Sequence, residues 1–441
     1  MSKFSSPSNK PFNLVWLRRN LRWSDNLPLV KAAADDLPVL PIFIFDTEIL
    51  NNLEDRSDLR VNFIHTHLNE MHNELAEYNS GIYFFYGNPV EIFNKISQGW
   101  NIKKVFVAND FEPYAKKRDQ KVADIFDHHD IAMETVTDHI VFEPDAIKTQ
   151  TDNNPYKVYT PYSKQWLEKL SGNELTVHHK NNHNINFVSY KGDIIPLKKM
   201  NFKFKDWQFP TDRVENDTID EYKKQRDFPA EQATSRLGVH LRFGTISIRS
   251  LVRQALKSKD NTFLKQLIWR EFFIQIMHHY PNSMKEAFRP KYRNMPWEFN
   301  EEHFEKWKTG RTGVPMVDAG MRELNNTGFM HNRVRMIAAS WLTKNLLIDW
   351  KLGERYFAEK LLDYELASNV GSWQWVAGTG VDAAPYFRIF NPFTQGKKFD
   401  PKGIYINKWV QEINTEDYPD AMIDYKASRE RCIDFYKKHA N

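Results

Sequence analysis

Apolar residues recur along this chain with two different periods. Over the first third, short runs rich in β-branched and aromatic residues occur at 13–17, 39–45, 82–86 and 104–107, with a weaker one at 132–136. Between them lie segments of helical period. Within 61–78 the apolar positions Val61, Ile64, Leu68, Met71 and Leu75 recur at steps of three and four. Strands alternating with helices through short connections predict an α/β, Rossmann-like domain with a mostly parallel sheet. No Gly-x-Gly-x-x-Gly follows the first strand, so the turn that grips a nicotinamide dinucleotide is missing. From about 137 to 205 both periods fail and Asn, Lys, His, Pro and Asp dominate, as in 149–156 and 178–186. That stretch reads as a long surface connector with one short helix near 162–170. Beyond Asp206 the pattern is helical. Segments 246–256, 263–278, 314–324, 333–347 and 354–362 are apolar along a stripe or on most sides, as interior helices of a large bundle are. The expected organisation is an α/β domain over 1–136, a connector over 137–205 and an all-α domain over 206–441.

Composition narrows the class. With 41% hydrophobic and 27% charged residues the 441-residue chain reads as soluble and globular. No run approaches the ~18 apolar residues that span a bilayer. The polar start of the chain carries no signal-like segment, so a cytoplasmic, membrane-free protein is expected, with a monomer as the default. Cys432 is the only cysteine, which excludes an internal disulfide and a thiolate zinc cluster. No metal site is expected. The net charge of +4 does not by itself mark a nucleic-acid binder, so locally placed Arg and Lys must carry that reading. Aromatic residues make up 14% of the chain, including 13 Trp that fall mostly after residue 265. Such residues fill large helical cores, and they can also conduct electrons or stack on bases.

Three segments of the helical half are too polar and aromatic for plain core. Thr234-Ser-Arg-Leu-Gly238 sets two hydroxyls beside Arg236, ahead of a helix starting near Ser247, and can offer hydroxyl and N–H groups to a phosphate. An ordinary turn would look the same. In Asn325–Met336, His331, Asn332, Arg333 and Arg335 open an otherwise apolar helix. Two arginines two residues apart point to different sides, one outward to a phosphate and one inward to a carboxylate such as Asp363. His331 reads as structural. The third segment carries Trp373 and Trp375, bracketed by glycines, and runs on through Asp382 to Tyr386-Phe-Arg388-Ile-Phe-Asn-Pro392. It suits a planar group lying close to backbone.

Together these stretches resemble the DNA photolyase/cryptochrome family over nearly the whole chain. The likeness runs from Trp16-Leu-Arg-Arg-Asn-Leu-Arg-Trp-Ser-Asp-Asn26 through Trp307-Lys-Thr-Gly-Arg-Thr-Gly-Val-Pro-Met-Val-Asp-Ala-Gly-Met-Arg322, Gly328-Phe-Met-His-Asn-Arg333 and Ser372-Trp-Gln-Trp-Val-Ala-Gly-Thr-Gly380 to Phe399-Asp-Pro. The resemblance implies an antenna domain followed by a helical domain that holds FAD. The FAD contacts it implies are Tyr222, Thr234, Ser235, Arg236, Leu237, Phe263, Gln266, Arg270, Asn332, Arg335, Asp363, Glu365 and Asn369, with Asn369 facing the flavin N5. It also implies an electron path that starts at the surface and runs from Trp307 to Trp350 to Trp373. A flipped pyrimidine dimer would lie between Trp269 and Trp375, near Gln266, Asn332 and Met336, with Arg226, Arg333 and Arg388 on DNA phosphates. The implied reaction is light-driven splitting of the dimer by reduced FAD, with damaged DNA as partner. A second, antenna chromophore (methenyltetrahydrofolate, a deazaflavin or a flavin) would meet Asp110, Glu112 and Lys148.

Some positions bear on the branch, and others depart from the commoner pattern without bearing on it. Asn332 and Met336 replace the histidines of (6-4) photolyases, which favours the cyclobutane branch. Gln266 stands where such enzymes usually carry Glu; an amide still hydrogen-bonds a pyrimidine edge but cannot supply a proton, so a reduced repair yield is expected. Gly238 and Phe329 replace the commoner Ser and Trp, with mild effects expected on FAD affinity and local packing. The chief rival is a cryptochrome-type photoreceptor without repair, favoured slightly by Gln266 and disfavoured by the absence of a long tail after Phe399. A flavoprotein oxidoreductase lacks its nicotinamide turn, and a structural DNA-binding protein leaves the flavin and Trp positions unexplained.

Overall fold

A computed structural model describes residues 4–171, 175–178 and 185–439. Parts of the expected connector, 172–174 and 179–184, lie outside the described residues. The chain forms two compact units. Neither follows the expected boundaries at 136 and 205. One unit comprises Met1–Glu143, Leu170–Arg213 and Leu237–Gln254; the other comprises Pro144–Lys169, Val214–Arg236 and Ala255–Asn441.

The first unit is built on five strands, β1 (Phe12–Leu17), β2 (Val39–Asp46), β3 (Tyr83–Gly87), β4 (Ile102–Ala108) and β5 (Ala132–Val136). They form one sheet in the order β3-β2-β1-β4-β5, and every pairing is parallel. Helices α1 (Leu27–Ala33), α2 (Leu59–Glu74), α3 (Pro89–Gly99) and α4 (Pro113–His128) supply the crossovers. All residues of β1 and β2 are buried, which is why these strands read as continuous apolar runs. Their side chains still alternate: Val15 and Leu17 enter one core, Phe12, Leu14 and Trp16 the other. β5 is an edge strand with no fully buried residue, and its pattern is correspondingly weak.

The described residues of the expected connector divide between the two units. Phe187, Leu197, Met200 and Phe202 pack into the sheet core, and Phe187 bridges to Val39. Residues 237–254 are held to the same unit by buried charges. Arg249 Nε lies 2.8 Å from Asp25 and its Nη2 2.9 Å from Asp138, which also accepts Arg22 at 2.7 Å. Two guanidiniums and two carboxylates satisfy one another there, as buried charges must.

The second unit contains α5 (Tyr159–Ser171, through Lys169), α6 (Thr262–His279), α7 (Glu301–Thr309), α8 (Pro315–Thr327), α9 (Asn332–Ser340), α10 (Trp350–Lys360), α11 (Leu366–Ala377) and α12 (Tyr425–His439). Its core joins Trp307, Val317, Val334, Trp341, Trp350, Phe357 and Trp373. The segment expected as one helix over 333–347 leaves the α-helical path at Ser340 and makes a π turn over Trp341–Asn345. That turn brings Lys344 into the core, where its ammonium donates to the Ala377 carbonyl (2.8 Å) and so closes the C-terminus of α11. Burial lowers the Lys344 pKa to about 7. Gly353 lets α10 and α11 meet, since a Cβ there would stand 2.2 Å from the Trp373 ring. No helix among the described residues is long and apolar enough to cross a membrane.

Candidate functional site

A cavity of about 440 Å³ opens within the helical unit. Gln266, Trp269 and Phe273 reach it from α6, Asn332, Arg335 and Met336 from the first turns of α9, and Asp363, Tyr364 and Glu365 from the link before α11. Ser368, Asn369, Ser372, Trp373 and Trp375 face it from α11, and Arg226 completes the polar lining. Eleven of the residues singled out in the sequence therefore meet at one place: Arg226, Gln266, Trp269, Asn332, Arg335, Met336, Asp363, Glu365, Asn369, Trp373 and Trp375.

The opening of α9 sets its two arginines. His331 is the N-cap, accepting from the Arg333 N–H at 3.2 Å. Burial lowers its pKa to about 4, with Arg335 adding to the effect, so the ring stays neutral and able to accept. The arginines then diverge to different partners, but both partners are carboxylates, and Arg333 is not turned out to solvent as expected. Arg335 turns to Asp363 (Nη2 to carboxylate, 2.9 Å) and donates Nε–H to the Met330 carbonyl at 2.6 Å. Arg333 pairs with Asp227 at 2.8 Å and lies over the Phe399 ring, 4.3 Å from its centroid. A second ion pair, Arg270 to Glu365 at 2.8 Å, closes the neighbouring part of the lining, where Ser368 Oγ also donates to Glu365 at 3.2 Å.

The polar groups that face the cavity are neutral or paired. Asn369 donates its amide to the Glu354 carboxylate (2.9 Å) and the Glu354 carbonyl (3.1 Å). Burial raises the pKa of Glu354. Gln266 donates to Thr262 O at 3.2 Å, back along its own helix. Asn332 and Met336 are one turn apart and in contact, amide to sulfur at 3.8 Å.

The aromatic residues divide into the cavity's sides and its backing. Trp269 lines it and is stacked on Tyr159 with 3.6 Å between centroids and 7° between planes. Trp375 lines it with the Arg388 guanidinium 5.8 Å from its ring. Trp373 lines it from α11 and meets Trp307 edge-on at 6.1 Å.

One expectation fails here. Trp307 is 0% exposed, its indole N–H donating to the Ala338 carbonyl at 3.0 Å, so it cannot be the surface end of a path. Trp297, half-buried, suits that end better. The adjoining Glu298 N–H donates to the Leu347 carbonyl at 2.9 Å, which puts Trp297 beside the chain entering α10 at Trp350.

The remaining expected contacts stand outside the lining. Tyr222 and Phe263 meet edge to face at 5.3 Å, with Arg226 5.6 Å from the Tyr222 ring. Thr234 and Ser235 are half-buried, and Arg236 is exposed with its guanidinium 4.5 Å over Phe329. Leu237 is buried and groups with the first unit. Sequence reasoning missed Tyr159, Phe273 and Glu354. Nothing local marks them, because each matters through a partner remote in sequence.

Residues 13–181 match the family model described as DNA photolyase, and residues 263–416 match the one described as FAD binding domain of DNA photolyase. A deoxyribodipyrimidine photo-lyase of Escherichia coli (strain K12) is 33% identical over 476 residues, covering 96% of this chain and 98% of that protein. One from Synechococcus is 34% identical over 438 residues, 91% of this chain and 88% of its own. Among solved structures, a bacterial class III photolyase from Agrobacterium tumefaciens superposes with a TM-score of 0.85 at 28% identity, covering 98% of each chain. An archaeal photolyase from Sulfolobus tokodaii, solved with two FAD molecules, gives 0.83 at 29% identity over 97% of this chain and 100% of its own.

Proposed function

The chain belongs to the DNA photolyase family, and from that premise we propose that it splits cyclobutane pyrimidine dimers in DNA with light. The observation that carries this reading is the cavity, where Trp269 and Trp375 offer aromatic surfaces beside the Arg335–Asp363 pair and Asn369. The donor set fits FAD. The Asn369 amide, whose N–H groups go to Glu354, keeps its carbonyl oxygen as an acceptor for a flavin N–H, a half-buried ion pair suits the edge of the isoalloxazine, and half-buried Thr234 and Ser235 suit the pyrophosphate. Tyr222, Arg236, Phe263, Arg270, Asn332, Glu365 and Gln266 complete the FAD contacts proposed on the helical unit.

When bound and reduced, FAD supplies one electron on absorbing blue light and takes it back, so no net redox change results. The chain's residues do the rest. Trp269 and Trp375 hold the flipped dimer, excluding water from it. Gln266 hydrogen-bonds a pyrimidine edge, with Asn332 and Met336 beside it. Arg226, Arg333 and Arg388 bind phosphates, giving salt-dependent affinity largely independent of sequence. Trp350 and Trp373 carry an electron inward. Trp297 replaces Trp307 as the outer member, because Trp307 is sealed in the core.

A second chromophore is supported by the archaeal relative solved with two FAD molecules. Of the residues expected to meet it, Asp110 pairs with Arg19 at 3.3 Å, Glu112 with Arg242, and Lys148 with Asp145 at 2.7 Å.

The test is direct. Purified protein should show a flavin spectrum and, once reduced and illuminated, should remove dimers from irradiated DNA. A flavin-bearing protein that leaves dimers intact would refute the proposal in favour of a photoreceptor.

A further inference from the structure

Trp269 is held by a strap that no part of the dimer-splitting reading uses. The strap is the chain entering α5 and the first turns of that helix, and it is fastened to α6 at four points. Gln275 donates to the Tyr156 carbonyl (2.9 Å), and the Tyr159 hydroxyl donates to the Lys265 carbonyl (2.9 Å). The Tyr159 ring covers one face of Trp269, and the Trp166 indole N–H donates to Glu271 at 2.7 Å. Tyr159 is nearly buried and Trp166 wholly so. Phe272 and Phe273 also pack on Trp269, at 5.6 and 5.4 Å between centroids, so with Tyr159 over one face at 3.6 Å only the part of the ring that lines the cavity is left for an occupant.

The strap is tied to the other side of the cavity as well. The Tyr159 N–H, at the start of α5, donates to the Asp382 carboxylate at 3.1 Å. Asp382 lies on the loop that follows α11 and continues to Arg388, whose guanidinium stands over Trp375. Its backbone has φ +46, a conformation that a residue with a side chain seldom adopts unless surrounding contacts hold it. One short segment thus touches the support of both aromatic surfaces.

We propose that Tyr159 is a positioning residue for the lesion site: it fixes the plane of Trp269, and through Asp382 it sets that plane relative to Trp375. The inference rests on the reading of the cavity as a dimer site. An unsupported Trp269 would keep its area but sample other side-chain rotamers, and a flipped dimer would have to order it on binding. The loss should therefore fall on recognition of the dimer and leave the light-driven step unchanged.

The experiment compares wild-type, Tyr159→Leu, Tyr159→Phe and Asp382→Ala proteins. It measures affinity for a duplex carrying one pyrimidine dimer, affinity for the same duplex undamaged, flavin content, and dimers split per photon at saturating DNA. Tyr159→Leu is expected to weaken dimer binding about three- to ten-fold. Undamaged-duplex affinity, flavin content and yield at saturation should stay at the wild-type level. Tyr159→Phe keeps the stack and should restore dimer affinity, and Asp382→Ala should lose part of it. Unchanged dimer affinity in a folded, flavin-bearing Tyr159→Leu protein overturns the proposal. If that variant does not fold, unchanged dimer affinity in Asp382→Ala overturns it instead. A wild-type protein that holds flavin but binds both duplexes equally defeats the dimer-site reading itself, and this proposal with it.

Discussion

At the scale of single residues, burial separates roles that sequence position leaves mixed. Trp297 and Trp307 are both tryptophans of the helical half, yet one is half-buried and the other has no exposed surface. Trp297→Phe should therefore slow photoreduction of the bound flavin strongly, measured by bleaching under blue light with an external reductant. Trp307→Phe should act mainly on stability. Gln266 donates to its own helix and has no proton to give, so Gln266→Glu should raise the dimers split per photon by about two-fold or more. An unchanged yield would show that proton supply at this position is not limiting.

His331 gives a pH signature. In the fold its pKa lies at about 4, against an ordinary value near 6.5, because burial and Arg335 disfavour the charged ring. The unfolded chain takes up the proton first. Stability from this group is thus complete above pH 6.5 and falls as the pH drops toward 4, by up to about 3 kcal/mol. His331→Asn retains a capping acceptor and should flatten the fall in melting temperature across that range.

At the scale of elements, what could be read depended on how evenly a segment is buried. β1 and β2 were legible because both their faces are covered, and α6 because it is apolar on most sides. β5 gave a weak pattern because it lies at an edge. The break in the segment over 333–347 was illegible: its residues are apolar on both sides of Ser340, and only tertiary packing around Lys344 selects a π turn. The contact of α10 with α11 is a place where one methyl group decides. Gly353→Ala would set a Cβ 2.2 Å from the Trp373 ring, so it should cost about 1–3 kcal/mol and perturb photoreduction through Trp373. Thermal melting and flavin bleaching would show both effects.

At the scale of the molecule, the approximate division into a sheet half and a helical half was legible, but the chain's route between them was not. The residues that settle it act over long sequence distances. Arg249 finds Asp25 and Asp138, Tyr159 finds Trp269, and Trp166 finds Glu271, none with any periodic trace. The meeting of Arg335 with Asp363 was foreseeable from family likeness, whereas the Met330 carbonyl that also accepts from Arg335 and the Glu354 that holds Asn369 were not. This routing limits how the protein can be divided. A polypeptide starting at residue 206 would contain every proposed flavin contact and still leave Glu271 without the indole that it accepts and Trp269 bare on its stacked side. Such a truncated polypeptide should express poorly or take up little flavin, and adding back 144–171 as a separate peptide should recover part of the uptake. The helical half is not a bead on a string that scissors can free; its outermost stitch was sewn from the chain's first half.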